Sequence, residues 1–447
     1  MIKDFREHLD TLRRENKFLK VNKQVNPVYE LPAVAKLLHR RHGAAILFQN
    51  VKGHSMPVVT YIYPDRASAA TALNMTSGSL AQEWSQRESR RVPPKKVATG
   101  PVKERVEVKN FDVRTLPIVT HSEGDAGPYI TGGIVIARHP NTKILNASFN
   151  RLQLVDKDKL RVRMMPPQHL GIYQEAVEAL NRPLEAAIVI GAPPAVMFSA
   201  ASKIPYERDE LEFAGALAEE PLEITPCETI DVDVPAQAEI VIEGEVLAGV
   251  REDEGPFGEF TDGYVPVMKN HVFRVKAVTQ RKNPIYHSIY AGGVEDLMLL
   301  GIPIEAEVYK HIVKYAPEIT GISTTSFVFN CVIGIKKRDM EQPRNVIMAA
   351  LASYSWIKMC VVVDEDVDIY NPADVLWAIQ TRCRPDRDIM IIPGVSSYTR
   401  EDVRQIHLGK FGIDATMPLD LRAILKRRVI PGENSIRLED YLGEKVS

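Results

Sequence analysis

Glu239-Ile-Val-Ile-Glu-Gly-Glu-Val-Leu247 is a run of apolar and β-branched residues with partial two-residue alternation, the pattern of a half-buried strand. His271-Val-Phe-Arg-Val-Lys-Ala-Val278 repeats it. Upstream, Tyr129-Ile-Thr-Gly-Gly-Ile-Val-Ile-Ala137 is a strand with a double glycine, suited to a bulge or to close approach by a ligand. Short strands punctuated by Gly and Pro over residues 101–300 predict a β-barrel or curved sheet with inserted helices, one of them at Gln174–Leu180. Between the first two runs lies Glu254-Gly-Pro-Phe-Gly-Glu259-Phe-Thr-Asp-Gly-Tyr264, with two carboxylates five residues apart. Gly255, Pro256 and Gly258 disfavour a helix and predict a tight loop between strands, an anchored segment of the kind on which catalytic groups sit. A turn with two solvated Glu is the plainer alternative.

Outside this region the texture differs. Ile2, Phe5, Leu9 and Leu12 fall at helical spacing, Phe18–Val21 reads as a strand, Leu31–Arg41 as a helix stopped at Gly43, and Ala45–Val51 as a buried strand. Residues 1–100 therefore form an α/β region, closing on Arg90-Arg-Val-Pro-Pro-Lys-Lys96 as a linker. Residues 301–447 alternate helix and strand. A helix is expected at Pro303–Tyr315, strands at Phe327–Ile335 and Met359–Val363 around a helix near Val346–Tyr354, and a further helix capped by Asn371 with Pro372 at its first position. The fold class is α/β (α+β), in three regions.

Composition narrows the function. A formal net charge of −2 over 447 residues offers no field for nucleic acid or an anionic membrane surface. Cys227, Cys331, Cys360 and Cys383 form no CxxC, so a disulfide scaffold and a zinc ribbon are disfavoured and a reducing cytoplasm is expected. The apolar run Ala186–Ala201 is broken by Gly191, Pro193 and Pro194, and is shorter than the roughly 20 residues of a membrane helix.

Polar residues of the middle region recur beside Gly and Pro: Asn146-Ala-Ser-Phe-Asn-Arg151, ending a strand that begins near Lys143, then Pro166-Pro-Gln-His169 and Asp209-Glu210-Leu-Glu212. An Asn, a His and a Glu supply a mixed O/N ligand set that suits Mn²⁺ or Mg²⁺ better than structural Zn²⁺. Spacing alone does not bring them together.

These residues, with Glu254-Gly-Pro-Phe-Gly-Glu259, resemble the ordered signature of the UbiD-like decarboxylases, which use prenylated FMN. His121-Ser-Glu-Gly-Asp-Ala-Gly-Pro-Tyr-Ile-Thr131, Thr381-Arg-Cys-Arg-Pro-Asp-Arg-Asp388 and Gly412-Ile-Asp-Ala-Thr416 resemble further landmarks of that family. The resemblance implies a flavin-binding split β-barrel with flanking α/β elements and a C-terminal α/β oligomerisation domain, hence a homodimer or larger homo-oligomer. It implies that Asn146, His169 and Glu210 hold Mn²⁺ (or Mg²⁺) against the cofactor phosphate, accompanied by K⁺. Glu210 is preferred to Glu212 for its place four residues before Ala214-Gly215. Ser148, Phe149, Asn150, Arg151, Arg163, Met164, Met165, Gln168 and His169 fall where the family wraps the flavin. Arg151, Glu254 and Glu259 match its catalytic network, with Glu259 as proton donor. The substrate implied is a small carboxylic acid, aromatic, heteroaromatic or α,β-unsaturated, and a flavin prenyltransferase would supply the cofactor. Asp262, ahead of Gly263-Tyr264, departs from the family's usual run after the second Glu.

Chemistry gives its own reasons for these residue types. Losing CO₂ from an sp² carbon needs an electron sink that side chains do not provide, so a cofactor is required. The vacated carbon then needs a proton from a carboxyl protonated near neutral pH, which desolvation in an apolar loop favours. Two competing functions are a glycoside hydrolase with Glu254 and Glu259 as its carboxylate pair, and a non-catalytic flavin-binding assembly protein.

Overall fold

The computed structural model describes residues 2–164, 167–324, 327–398, 408–424, 427–432, 435–437 and 439–442. Its contacts divide the chain into two compact units, Met1–Lys310 and His311–Ser447.

The first unit is built on a nine-stranded sheet. Its strands are β1 (Arg105–Glu107), β2 (Tyr129–Ile130), β3 (Ile134–Arg138), β4 (Leu145–Phe149), β5 (Leu152–Asp156), β6 (Lys159–Val162), β7 (Leu184–Ile190), β8 (Ile240–Glu254) and β9 (Met268–Gln280). The order is β2-β5-β6-β9-β8-β7-β3-β4, with β1 pairing β9. The central pairs are antiparallel, among them β7 with β8 and β8 with β9.

Side-chain alternation decides how the sheet is covered. Ile134, Ile136, Ala187, Val189 and Val241 enter one core with Phe5, Trp84, Phe198 and Phe213. Their neighbours Val135, Ala137, Ala186, Ile188, Ile240 and Ile242 enter a second core with Phe48, Tyr173 and Phe273. The start of β8 is thus buried on both faces, where the alternation predicts a half-buried strand. Its carboxylates are matched instead of solvated: Glu239 takes Arg6 in two bonds at 2.7 and 2.8 Å, and Glu243 accepts from the backbone N–H groups of Glu228 and Thr229. Buried charges tolerated in this way read as surface positions in a sequence pattern.

Strands of 15 and 13 residues, β8 and β9, must bend. Their register shifts between Glu243 and Gly244 and again between Val246 and Arg251, as bulges do. At Gly244 a Cβ would run into the Arg274 carbonyl oxygen and the Phe273 ring. Gly244→Ala is expected to lower stability by about 1–3 kcal/mol through this overpacking. Urea denaturation would read it, and an unchanged midpoint would show that the strands part freely there.

The N-terminal region of this unit carries a four-stranded sheet, Phe18–Val21, Ala45–Phe48, Val58–Thr60 and Tyr286–His287 in that order. Its helix Glu30–His42 ends at Gly43 in the left-handed conformation (φ 57°), as expected of a glycine stop. The expected linker at residues 90–96 holds a strand: Lys95 and Lys96 pair in parallel with Glu223 and Ile224.

The second unit has a five-stranded sheet ordered Ile319–Ser323, Asn330–Ile335, Met359–Asp364, Leu408–Ala415, Ile389–Ser396, with the helices Gln342–Ser353 and Pro372–Arg382. Asn371 caps the latter by accepting from Ala373 N at 3.1 Å. Within the late landmark, Arg382 bridges Asp364 (2.9 Å) and Asp366 (2.8 and 2.6 Å). The helix expected from Pro303 begins earlier, spanning Val294–Ile312 with Pro303 inside it. No described helix is long and apolar enough to cross a membrane.

Candidate active site

The period of two that fills the cores also makes one polar face near the end of the sheet. Arg151 directly precedes β5, Arg163 follows β6, and Glu254 closes β8. The Arg151 guanidinium grips Glu254 in a fork, Nε to Oε1 at 2.9 Å and Nη2 to Oε2 at 2.8 Å, and reaches Glu259 Oε1 through Nη1 at 3.2 Å. Arg163 Nη1 lies 3.4 Å from the same Glu259 oxygen. Glu254 is fully buried, while the Glu259 side chain keeps 14% exposure. A bidentate, dry pair is the stronger interaction, so the two carboxylates differ: one is clamped, the other reached by longer bonds.

Glu259 is held by its backbone. The expected tight loop is a small hairpin, Phe257–Gly258 paired with Tyr264–Val265, and the Gly255–Pro256 peptide before it is cis. Gly258 N donates to Asp125 Oδ1 at 2.8 Å, and Gly124 N donates to the Tyr264 hydroxyl at 3.0 Å. The landmark at residues 121–131 therefore braces the hairpin. Burial pushes the Asp125 carboxyl up, against the N–H bonds it accepts. The Phe257 ring lies under Arg151, 5.0 Å from its guanidinium carbon, a cation–π contact that also keeps water from the pair. Asp262 sits exposed in the turn at φ 62°, a conformation Asp tolerates, and adds no acid to the pocket.

At the head of the helix Val294–Ile312, Asp296 accepts from Gly292 N at 2.8 Å. Burial, reinforced by Glu295 and Glu259, pushes its carboxyl up to about 6. His287 is wholly buried and bonds Glu295 at 2.9 Å.

A second polar group gathers around Glu210, the first residue of the helix Glu210–Ala218. Glu210 Oε1 accepts from Asn146 Nδ2 at 2.9 Å, Oε2 accepts from Ala147 N at 3.0 Å, and His169 Nδ1 stands 3.8 Å from Oε1. Glu212 turns to Arg91 instead, at 3.7 Å. Burial pushes the Glu210 carboxyl up, opposed by His169 and the Ala147 N–H. Among the described residues no three His, Cys, Asp or Glu side chains surround one point; the third member here is the Asn146 amide. Ligand atoms shared by one Mn²⁺ or Mg²⁺, each about 2.1 Å from the ion, stand roughly 3–4 Å apart. Glu210 Oε1 and His169 Nδ1, 3.8 Å apart, have the spacing of two ligands of one such ion. Asn146 would complete a hard O/N set by turning its amide so that Oδ1, in place of the Nδ2 that donates to Glu210, faces the ion, whose charge would also match the buried carboxyl.

The remaining candidates scatter. Ser148 Oγ donates to Asn150 Oδ1 at 3.0 Å and Asn150 Nδ2 to the Arg163 carbonyl at 3.0 Å, tying both strand ends together. Phe149 is half-buried against the first core. Met164 is packed in the second core. Gln168 is exposed at the start of the helix His169–Glu178, making no capping bond. Met165 lies outside the described residues. Two residues went unread in the sequence. Asp125 lies within the 121–131 landmark and braces the hairpin, and Asn270, buried on β9, donates to Glu254 Oε2 at 2.7 Å. A lone Asn inside a strand was its only signal.

Comparison with known proteins identifies the family. The N-terminal, Rift-related and C-terminal domains of 3-octaprenyl-4-hydroxybenzoate carboxy-lyase match residues 9–88, 95–294 and 297–415. The anhydromevalonate phosphate decarboxylase of Methanothermobacter thermautotrophicus is 34% identical over 93% of this chain and 97% of its own. A phenolic acid decarboxylase of Sedimentibacter hydroxybenzoicus is 30% identical over 93% and 92%. The UbiD-class enzyme HmfF of Pelotomaculum thermopropionicum, solved with FMN, superposes with a TM-score of 0.93 at 39% identity, covering 98% of this chain and all of that one. An evolved dimeric form of HmfF, solved with prFMN, gives 0.90 at 40% identity over the same coverage. Sequence and fold agree: the chain belongs to the UbiD family of carboxy-lyases and is a decarboxylase of that class.

Proposed function

We propose that this enzyme is a prenylated-FMN-dependent, reversible, non-oxidative decarboxylase of an aromatic, heteroaromatic or α,β-unsaturated carboxylic acid, with Glu259 protonating the carbon that loses CO₂. The observation that carries the proposal is the unequal pair of carboxylates on Arg151: Glu254 in a dry fork, Glu259 at 3.2 Å and partly open. That HmfF has been solved with FMN and with prFMN supports the choice of cofactor.

When bound, prenylated FMN would supply the electron sink for the bond to CO₂. The protein's residues do the rest. Asn146, His169 and Glu210 would hold Mn²⁺ or Mg²⁺, with K⁺ nearby, to neutralise the cofactor phosphate. Ser148, Phe149 and Asn150 follow Asn146 along one strand end, Arg163 stands at Glu259, and these residues would border the flavin. Arg151, its charge met by Glu254, positions Glu259 without locking it, so Glu259 can give its proton at the vacated carbon and regain one from solvent. Glu210→Gln keeps the shape and removes the ligand charge. It is expected to weaken Mn²⁺ binding by more than the roughly ten- to hundredfold that loss of a ligand's supporting partner costs, measured by calorimetry on the cofactor-loaded protein. The protein would draw its cofactor from a flavin prenyltransferase, work in the cytoplasm and assemble as a homo-oligomer.

The decisive experiment is co-expression with a flavin prenyltransferase, cofactor identification by mass and absorbance, and assay of CO₂ release from a panel. The panel would hold 3,4-dihydroxybenzoic, vanillic, heteroaromatic and α,β-unsaturated acids. Retained prenylated flavin with release of CO₂ from any of them upholds the proposal; a protein that retains no prenylated flavin overturns it.

A further inference from the structure

The clamp on Glu254 has a third donor that the Glu-Arg-Glu constellation does not include. Asn270 is 2% exposed and its Nδ2 lies 2.7 Å from Glu254 Oε2. The antiparallel register explains why they meet. Glu252 pairs with Asn270 and Glu254 with Met268, so Glu254 and Asn270 are diagonal neighbours on one face of the sheet. Together with the Arg151 fork, Oε1 receives one bond and Oε2 receives two. An amide offers this carboxylate its N–H only, because an ionised carboxylate accepts and does not donate.

We infer that Asn270 is a positioning residue that keeps Glu254 ionised, and so fixes which of the two carboxylates on Arg151 carries the mobile proton. This rests on the proposed role of Glu259 as acid. Three hydrogen bonds to a carboxylate stabilise its charged form against burial. Were Glu254 to take a proton, the fork would lose its charge and Arg151 would turn its full attraction on Glu259. Glu259 would then hold its own negative charge and be a poorer donor. Asn270 opposes that exchange with a neutral group, adding no charge of its own to the pair.

One further neutral group faces Glu254: the buried Tyr129, whose hydroxyl is pushed up by burial, by the Glu254 charge and by its approach to that carboxylate as a donor, and which is unchanged in any Asn270 variant. Asp125 and Glu259 both feel the Arg151 charge, Glu259 by a direct bond at 3.2 Å. On Glu254's own strand, Glu252 is taken by Lys159 and Arg161, and Asp253 by Lys269. His271, next to Asn270, lies beside Arg251 and Glu178, and burial pushes it down to about 4.

Two variants test the inference by opposite signatures. Asn270→Leu removes the donor; Asn270→Asp keeps the shape and places a second carboxyl against Glu254, so that the two share one proton. The first readout needs neither cofactor nor substrate. The protonated-carboxyl infrared band of Glu254 is followed against pH in the full-length chain, with Glu254→Gln in each background as the reference. In Asn270→Leu the Glu254 band should appear at higher pH than in the wild type. In Asn270→Asp the pair should retain one proton at a pH where wild-type Glu254 has none. With the loaded enzyme and whichever panel acid it turns over, kcat/KM should fall about ten- to a hundredfold at the affected pH. For Asn270→Leu the acid limb moves up. For Asn270→Asp, active while its carboxyl is protonated and donating, the alkaline limb moves down. Unshifted infrared titrations would overturn the inference whatever the enzyme's cofactor, as would an equal loss at every pH, the mark of a merely structural residue. A wild type without prenylated flavin would instead overturn the proposed function while leaving the infrared result standing.

Discussion

Glu259→Gln is expected to leave cofactor content and stability near those of the wild type and to cut decarboxylation by about 10²- to 10⁴-fold, the usual worth of a positioned general acid. The amide is nearly isosteric, and its oxygen can still accept from Arg151 Nη1 and Arg163 Nη1, which stand 3.2 and 3.4 Å from the Glu oxygen. What it lacks is an acidic proton. The Glu259 backbone should not move, since Glu259 N bonds the Gly263 carbonyl at 2.9 Å and Asp125 holds Gly258. The measurement is turnover against flavin absorbance in the same preparation. Undiminished turnover would remove Glu259 from the mechanism. A flavin-binding assembly protein would be indifferent to the change, and a glycosidase would need a sugar substrate in place of the acid.

Local physics made part of this legible and hid the rest. The stop at Gly43, the cap at Asn371 and the strands of the central sheet follow from side chains acting on their own neighbours, and residues close in sequence report them. The helix Val294–Ile312 starts earlier than its sequence suggests because Pro303 resembles a first-turn proline, whereas the start is marked by Glu295 and Asp296 in the first turn. Lys95 and Lys96 look like linker because their partners, Glu223 and Ile224, lie far along the chain. The covering of both sheet faces was hidden for the same reason. Buried Glu239 and Glu243 imitate solvent positions until Arg6 and the 228–229 turn are placed beside them.

The site divides along the same line. Glu254 and Glu259 share one short stretch, and their spacing could be seen. Arg151 stands 103 residues from Glu254, so nothing local joins them, and only the ordered resemblance named it. Asn270 escaped because an Asn in a strand carries no motif. It becomes visible through register, which sets it diagonal to Glu254. That Glu210 faces Asn146 while Glu212 faces Arg91 follows from where the helix Glu210–Ala218 starts, a one-turn choice that composition does not make.

Arg151→Ala should be the most damaging single change in this unit. It strips Glu254, which has no exposure, of its charge partner, and breaking a buried pair from one side costs about 3–5 kcal/mol. It also removes the guanidinium that bonds both carboxylates, so decarboxylation should fall below detection even where the protein remains folded. Arg151→Lys separates these effects. An ammonium keeps the charge and recovers part of the stability, but it cannot fork onto both Glu254 oxygens while reaching Glu259. Thermal or urea denaturation should therefore rank wild type above Lys and Lys above Ala, with both variants at least about a hundredfold slower in CO₂ release. A Lys variant with wild-type turnover would show that charge alone suffices and that the fork geometry is incidental. If the ranking holds and activity is lost in both, it is the shape of the guanidinium between its two unequal acids that the reaction requires.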